Sequence, residues 1–276
     1  MQVWVNGALL ADPTQPIVSA FDHGLTVGDG VFEAIKIVAG QAFALEPHLD
    51  RLDRSLLGLG LPAVERAFLE AGVAAVLSAE FIQHGRIRIT VTGGPAPLGS
   101  GRGDHAATVI VAATAAPTSA EHTSVVTVPW PRNDRGATAG LKTTSYAENV
   151  VALAEAQRQG ATEAIFATTT GLLCEGTGSN VFYVIDGDLR TPSLATGCLA
   201  GVTRALVLEW FGGREVDEPI EVAEGADEVF IVSTLRDVQA VTRWGDRNLA
   251  EGPVTRAARA RWREREAELV GRPSGR

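Results

Sequence analysis

The sequence has few cysteines, no long apolar run and little positive charge. Its two cysteines, Cys174 and Cys198, cannot form a disulfide framework, and no His/Cys spacing matches a zinc site. No apolar run approaches the roughly 20 residues that span a bilayer, and the start, MQVWVNGALLADPTQ, lacks the pattern of a signal peptide. The net charge of −9 argues against general nucleic-acid binding. We therefore expect a soluble cytoplasmic protein of enzyme size that binds no metal, membrane or nucleic acid.

Lysine is also scarce, because only Lys36 and Lys142 occur among the 24 lysines and arginines. Arginine keeps its proton at any workable pH, whereas lysine can become a neutral amine nucleophile. An arginine-rich coding bias would also leave only two lysines, so their scarcity by itself does not show a function. Lys142, in AGLKTTSYAENVVALAEA, is therefore a candidate for covalent chemistry that needs support from other residues.

Residue patterns in the first half predict two hairpins, two helices and a pair of strands. The hairpins turn at Asn6-Gly7 and Ala39-Gly40. Helical spacing begins at Glu46, and a second helix is expected from Pro62 to Gln83. RIRITVTGG and ATVIVAAT are predicted to form adjacent strands.

The second half mixes strands and helices without a regular βαβ alternation, which favours an α+β fold. We expect a helix over 146–159, a hairpin at Asp186-Gly187, a helix opened by Gly201, and a solvated Arg/Glu-rich helix over 253–269. The predicted organisation is a small domain of residues 1–115, a linker of residues 116–123, a larger domain of residues 124–270, and a disordered tail of residues 271–276.

Four segments together resemble the class IV pyridoxal-phosphate enzymes, or fold type IV. They are EGTGSNVFYVIDGDLRTPSLATGCLAGVTR, GDGVFEAIK, EPHLDRL and LKTTSYAENVVALAEA. The resemblance covers residues 2–265. It implies a two-domain α+β fold, with a small N-terminal α/β sandwich and a larger C-terminal β-barrel-like domain with helices. It also implies a homodimer that binds pyridoxal 5'-phosphate and acts on a small molecule.

The resemblance assigns roles to particular residues. Lys142 is expected to bond to the cofactor's aldehyde and then to move the substrate's proton, and Glu175 to pair with the pyridine nitrogen. The remaining cofactor-binding residues are Arg51, Gly201, Val202, Thr203 and Thr234 for the phosphate, Tyr146 beside the ring hydroxyl, and Ser179 and Asn180 as supports.

The residue types at these positions also suit pyridoxal-phosphate chemistry when they are considered without the family resemblance. A covalent amine must lose its proton, an acid must keep the pyridine nitrogen protonated, and a phosphate needs an arginine fork and the N–H groups of a helix start. Each residue also has a structural alternative: a surface lysine at Lys142, a solvated turn acid at Glu175, and an exposed ion pair at Arg51.

The segments that are expected to contact the substrate favour one class IV reaction. At the end of the predicted strand, D-amino-acid transaminases have a sequence similar to VTRG, whereas this chain has VTGG, with Gly93 in place of the arginine. Arg88 is followed by Ile89, whereas branched-chain enzymes tend to have a proline there. The loop GGPAPLGSGRGD, with Arg102, is similar to that of aminodeoxychorismate lyases. The prediction is a lyase that converts 4-amino-4-deoxychorismate to 4-aminobenzoate and pyruvate. The alternative is a class IV aminotransferase for branched-chain amino acids, D-amino acids or amines.

A lyase substrate has two carboxylates, so two cationic anchors are expected. Strand alternation places Phe32, Ala34 and Lys36 on one face, and Arg86 and Arg88 share a face of the next strand. The predicted substrate-binding residues are Phe32, Ala34, Lys36, Arg88 and Arg102.

Two other classes of protein predict different features of the sequence. A binding module without catalysis would lack Lys142 or Glu175, and a nucleotide-binding enzyme would show a glycine-rich phosphate loop. Lys142 and Glu175 are both present, and the sequence has no glycine-rich phosphate loop.

Overall fold

The computed structural model of the chain describes residues 1–270, so the predicted disordered tail, residues 271–276, lies outside the described residues. The chain divides into two compact units. The first consists of Met1–Thr118 and Leu141–Ser145, together with the last described residues from Glu268. The second consists of Ser119–Gly140 and Tyr146–Ala267. Each unit is built on one sheet flanked by helices, which confirms the α+β fold class.

The first unit contains one antiparallel sheet and three helices. Its strands lie in the order β2-β1-β6-β5-β3-β4. The strands are β1 Gln2–Val5, β2 Ala8–Leu9, β3 Gly30–Val38, β4 Gln41–Ala42, β5 His84–Thr92 and β6 Thr108–Ala115. The helices are α1 His23–Thr26, α2 Leu45–Leu59 and α3 Arg66–Ala79.

Both predicted hairpins of this unit are confirmed, and so is the pairing of β5 with β6. The second predicted helix is shorter than expected, because α3 begins at Arg66 rather than Pro62 and ends at Ala79 rather than Gln83. Leu61 is buried, and its N–H donates to Leu56 O at 2.9 Å, which closes the preceding helix instead of opening a new one.

One face of the first sheet forms the hydrophobic core of this unit. Isoleucine and valine side chains of β3, β5 and β6 pack there against leucines of α2 and α3. Full burial of each such side chain stabilises the fold by about 1.5–3 kcal/mol. Along β3 the core residues Val31, Ile35 and Ile37 alternate with three others. These three, Phe32, Ala34 and Lys36, therefore share the face opposite the core.

The second unit contains a mixed sheet whose main path is β12-β11-β10-β13-β14-β7-β8-β9, with β15 paired to β14. The strands are β7 His122–Thr127, β8 Glu163–Ala167, β9 Leu173–Gly176, β10 Asn180–Ile185, β11 Asp188–Pro192, β12 Arg214–Val216, β13 Glu228–Ser233, β14 Asp237–Trp244 and β15 Arg247–Asn248. The helices are α4 Ala147–Arg158, a 3-10 turn Leu194–Thr196, α5 Val202–Trp210, α6 Ile220–Glu224 and α7 Pro253–Leu269.

The predicted helices of this unit and the hairpin at Asp186-Gly187 are confirmed. The expectation that α7 is a solvated helix is wrong for one side of it. Trp262 is 2% exposed, and the buried Arg259 donates to Val238 O and Glu121 O. Strand β9 was not predicted, because its sequence, LCEG, lies between glycines and lacks the β-branched alternation of a strand. Within residues 1–270, no helix is both long and apolar enough to cross a membrane.

Candidate active site

Lys142 is anchored through its backbone in the first unit. Its N–H donates to Ser55 Oγ at 3.2 Å, and its carbonyl accepts from the Phe32 N–H at 3.0 Å. Thr143 bridges to Val31 on β3. The segment Leu141–Ser145 thus runs against β3 and α2, and Lys142 lies before the helix α4 rather than on it.

Three of the predicted residues meet at the ring of Phe32. Lys142 Nζ lies 4.4 Å from the ring centroid, and Arg88 Cζ lies 3.8 Å from it. Phe32 is 5% exposed, while Arg88 is exposed and donates to Thr90 Oγ1 at 3.2 Å. A guanidinium that can bind a carboxylate therefore lies one aromatic ring away from the candidate nucleophilic amine.

Lys36 lies further along the same face of the sheet. It is opposite Arg86 in the register of β3 and β5, as Ala34 is opposite Arg88. Directly opposite residues of an antiparallel pair share a face. Lys36 is 1% exposed, with Nζ 5.1 Å from the centroid of the Phe43 ring, so it is a buried cation rather than a solvent-facing strand residue.

Arg51 belongs to a buried charged cluster with Glu33 and His48. Its Nε and Nη2 donate to the two oxygens of Glu33 at 2.8 and 2.6 Å, and His48 Nδ1 lies 2.7 Å from Glu33 Oε2. Burial opposes the charge on Glu33, but Arg51 and His48 outweigh it and lower the pKa of Glu33 to about 2. Burial lowers the pKa of His48, which favours its neutral form. Arg51 is 5% exposed, so the alternative of an exposed ion pair is not what the structure shows.

Arg102 does not join the group at Phe32. Its Nε and Nη2 donate to the two oxygens of Asp29 at 2.7 and 2.6 Å, and the guanidinium also donates to the carbonyls of Leu59 and Gly60. These hydrogen bonds hold the pKa of Asp29 below its ordinary value. Arg102 therefore ties its own loop to the end of α2 and to Asp29.

In the second unit, Glu175 lies on β9, and its carboxylate contacts Leu199 and Arg132. The Leu199 N–H donates to Oε2 at 2.9 Å, and Arg132 Nη2 lies 3.5 Å from Oε1. Arg132 also stacks on Phe166 at 4.1 Å and donates to Asn149 Oδ1 at 2.8 Å. Arg132 was missed by sequence reasoning, because nothing in VPWPRND distinguishes it from the other arginines.

The start of α5 combines three predicted residues. Gly201 caps the helix, Val202 begins it, and Thr203 Oγ1 is buried without a hydrogen-bond partner. A Cβ at Gly201 would overlap Asn180 Oδ1, while Asn180 Nδ2 donates to Leu199 O at 2.9 Å. A helix N-terminus without a side-chain cap, with an unpartnered buried hydroxyl beside it, is suited to an anion such as a phosphate.

The other predicted residues of this unit lie at element ends. Tyr146 caps α4, and Thr234 follows β13 in the turn to β14. Ser179 precedes β10 and donates to Glu163 Oε2 at 3.1 Å. Cys174 and Cys198 are buried, and burial raises the pKa of both thiols, to about 11 for Cys198. Both therefore behave as packing residues rather than nucleophiles.

These donors fit the groups of pyridoxal phosphate. The first unit has a lysine beside an aromatic ring, and the second has a carboxylate held by two donors and a helix start with an unpartnered hydroxyl. Enzymes that depend on pyridoxal phosphate require residues of these chemical types. Residues 30–244 match the family model described as amino-transferase class IV, and the chain belongs to this family, whose cofactor is pyridoxal phosphate.

Relatives of differing activity are similar to the chain over nearly its whole length. A D-alanine aminotransferase from Bacillus licheniformis is 30% identical, with 93% of this chain and 94% of the relative covered. An aminodeoxychorismate lyase from Bacillus subtilis is 27% identical, with 99% and 98% covered. A crystal structure of a branched-chain aminotransferase from Thermoproteus uzoniensis is 28% identical, has a TM-score of 0.88, and is matched over 98% of each chain.

Proposed function

We propose that this class IV enzyme is a lyase that converts 4-amino-4-deoxychorismate to 4-aminobenzoate and pyruvate. The observation that supports it is the set of cations on one face of the first sheet. Lys36, Arg86 and Arg88 share this face with Phe32, and Lys142 Nζ lies over the Phe32 ring. An amino-acid substrate needs one cation for its carboxylate, whereas a chorismate-type substrate needs two.

Bound pyridoxal phosphate supplies an aldehyde that bonds to amines and a ring that accepts electron density. Lys142 would hold the cofactor through Nζ, and the freed Nζ would take the proton from the substrate carbon that bears the amine. Glu175, oriented by Arg132 and the Leu199 N–H, holds a proton on the ring nitrogen. Loss of the substrate proton would be followed by cleavage of the bond between the ring carbon and the ether oxygen of the enolpyruvyl group. The proton held by Lys142 Nζ would pass to the methylene carbon of the departing group, which leaves as pyruvate, and aromatisation of the remaining ring drives the reaction forward.

The remaining roles concern binding. Arg51, Val202, Thr203 and Thr234 hold the phosphate, with Gly201 at the start of α5. Tyr146 lies beside the ring hydroxyl, and Ser179 and Asn180 support the site. Arg88 and Lys36 bind the two substrate carboxylates. The cytoplasm is the proposed location, and a homodimer is the proposed assembly.

An aminotransferase is the second candidate, and the position of Arg102 favours it. Because its guanidinium is engaged by Asp29 and two carbonyls, Arg102 is not presented as an additional carboxylate anchor. Arg88 beside Lys142 is sufficient for a substrate with one carboxylate. An aminotransferase would use the same proton step at Lys142 and would require a 2-oxo acid to accept the amino group.

The test is to supply purified protein with 4-amino-4-deoxychorismate and no 2-oxo acid. A lyase releases pyruvate and 4-aminobenzoate in equal amounts. Arg88→Leu and Lys36→Met should each raise KM for this substrate by about tenfold or more, since each removes a charge-assisted contact. A protein that binds the cofactor, releases no pyruvate and transfers amino groups to a 2-oxo acid would overturn the lyase proposal in favour of the aminotransferase.

A further inference from the structure

Glu163 is a buried acid of the second unit to which the proposed reaction gives no role. It begins β8 and is 1% exposed. A carboxylate so deeply buried is costly unless several donors satisfy it. Its presence in the sheet therefore calls for a compensating set of contacts.

Apart from the neighbouring Ala164 N–H, which donates to Oε1 at 3.1 Å, the contacts of Glu163 come from two separate segments. Oε1 accepts from the Thr177 N–H at 3.0 Å and from the Thr177 hydroxyl. Oε2 accepts from Ser179 Oγ at 3.1 Å and lies 3.5 Å from Arg236 Nη2. A Cβ at Gly176 would overlap Ser179 Oγ and lie 3.2 Å from Glu163 Cδ, so the loop from Gly176 to Ser179 closes tightly over the carboxylate.

Each of these segments adjoins a residue assigned to the cofactor. Ser179 immediately precedes Asn180, whose amide packs against Gly201 at the start of α5. Arg236 lies two residues after Thr234, in the same turn, and its Nη1 donates to Gln239 Oε1 at 2.6 Å. One buried carboxylate thus connects the loop before β10 with the turn between β13 and β14.

We propose that Glu163 is a positioning residue for the cofactor phosphate. Its negative charge holds Ser179 and Arg236 together, and through them it sets the positions of Asn180 and Thr234. This inference rests on the proposed assignment of those residues to the phosphate. A neutral amide in place of the carboxylate would accept fewer hydrogen bonds and would leave the Arg236 guanidinium without its counter-charge.

The test compares two ligands of the apoprotein, pyridoxal phosphate and pyridoxal, which lacks the phosphate. Glu163→Gln should weaken binding of pyridoxal phosphate by about tenfold or more, since charge-assisted hydrogen bonds are lost. Binding of pyridoxal should change less than about twofold, because the residues that contact the ring are not displaced. Arg236→Leu should reproduce this selective loss, and it keeps the proposal testable if Glu163→Gln fails to fold.

Glu228 offers a matched control. It is a buried glutamate on β13 of the same unit, 5% exposed, and its carboxylate accepts from the Val254 and Thr255 N–H groups at the start of α7. Glu228→Gln should lower the melting temperature of the apoprotein, as Glu163→Gln does, but leave the ratio of the two affinities unchanged.

Several outcomes would overturn the inference. One is equal weakening of both ligands by Glu163→Gln, which indicates a structural role alone, and another is no weakening of either. A wild-type apoprotein that does not prefer pyridoxal phosphate to pyridoxal would overturn it as well. Failure of pyruvate release would leave the binding result standing, so the lyase proposal and this inference fail separately.

Discussion

At the scale of single residues, Lys142 is defined by partners that are distant in the chain. Its backbone is held by Ser55 and Phe32, and its Nζ lies over the Phe32 ring, which Arg88 also contacts. The side chain of Lys142 is half-buried beside that ring, so the alternative of a surface lysine is not what the structure shows.

Lys142→Ala should abolish turnover, because the other lysine of the chain, Lys36, lies beside Phe43 and not at the Phe32 ring. After borohydride reduction, the wild-type protein should gain the mass of the cofactor, and the variant should not. Lys36→Ala is the control, since it removes the other lysine of the chain and should still retain the reduced cofactor. Cofactor covalently attached to Lys142→Ala, or normal turnover by it, would contradict the assignment.

The Glu33–Arg51 pair predicts a pH dependence of stability. The folded-state pKa of Glu33 is about 2, against an ordinary value of 4.5. The pair therefore stabilises the fold fully above about pH 4.5, and this contribution is lost as the pH falls toward 2. The difference in unfolding free energy between wild type and Glu33→Gln should shrink by roughly 3 kcal/mol over that range. Urea titrations at several pH values measure it, and a difference independent of pH would refute the prediction.

At the scale of elements, the start of α5 depends on the absence of a side chain at Gly201. Its φ of −64° is accessible to any residue, so the constraint comes from Asn180, whose Oδ1 a Cβ would overlap. The glycine therefore allows the helix N-terminus and the strand β10 to lie close together.

Gly201→Ala should displace Asn180 and weaken binding of pyridoxal phosphate to the apoprotein by about tenfold or more. Gly178→Ala is the matched control, since a Cβ there meets nothing within 4 Å. Fluorescence titration of both apoproteins measures the affinities. Equal affinities would show that α5 tolerates the added methyl group and that Gly201 has no role in phosphate binding.

Elements that are extended or helical by local pattern were the most predictable. The hairpins at Asn6-Gly7 and Asp186-Gly187 and the helix α5 agree with expectation because turn residues and apolar periodicity act within a few residues. The start of α3 and the strand β9 were missed, since burial of Leu61 and pairing of β9 with β8 depend on distant partners.

At the scale of the whole molecule, the first unit exposes large apolar side chains in the segments before β3 and after β5, which are joined by a hydrogen bond from the Ala96 N–H to Phe21 O. Phe21 is 54% exposed, Leu25 is 69% exposed and Leu98 is 77% exposed. Exposed apolar groups in proximity are typical of surfaces that bind a protein partner. A second copy of the chain is the partner that the family resemblance implies.

Light scattering should therefore give a mass of about 58 kDa, twice the 29.0 kDa of one chain. Combining Phe21→Asp with Leu25→Asp should shift this mass toward that of one chain. Phe81→Asp is the control, because Phe81 is 71% exposed and lies near Gly40, at the other end of β3. A wild-type mass of one chain would refute the dimer.

The sequence by itself determined the family, the cofactor and the residue types that suit it, because these follow from motifs whose members lie close together in the chain. The tertiary structure alone decided which charged groups meet. Arg132 beside Glu175, Arg51 on Glu33, and Arg102 on Asp29 join residues that no local pattern relates. The energy of a buried ion pair depends on distance and desolvation, and both exist only once the chain has folded.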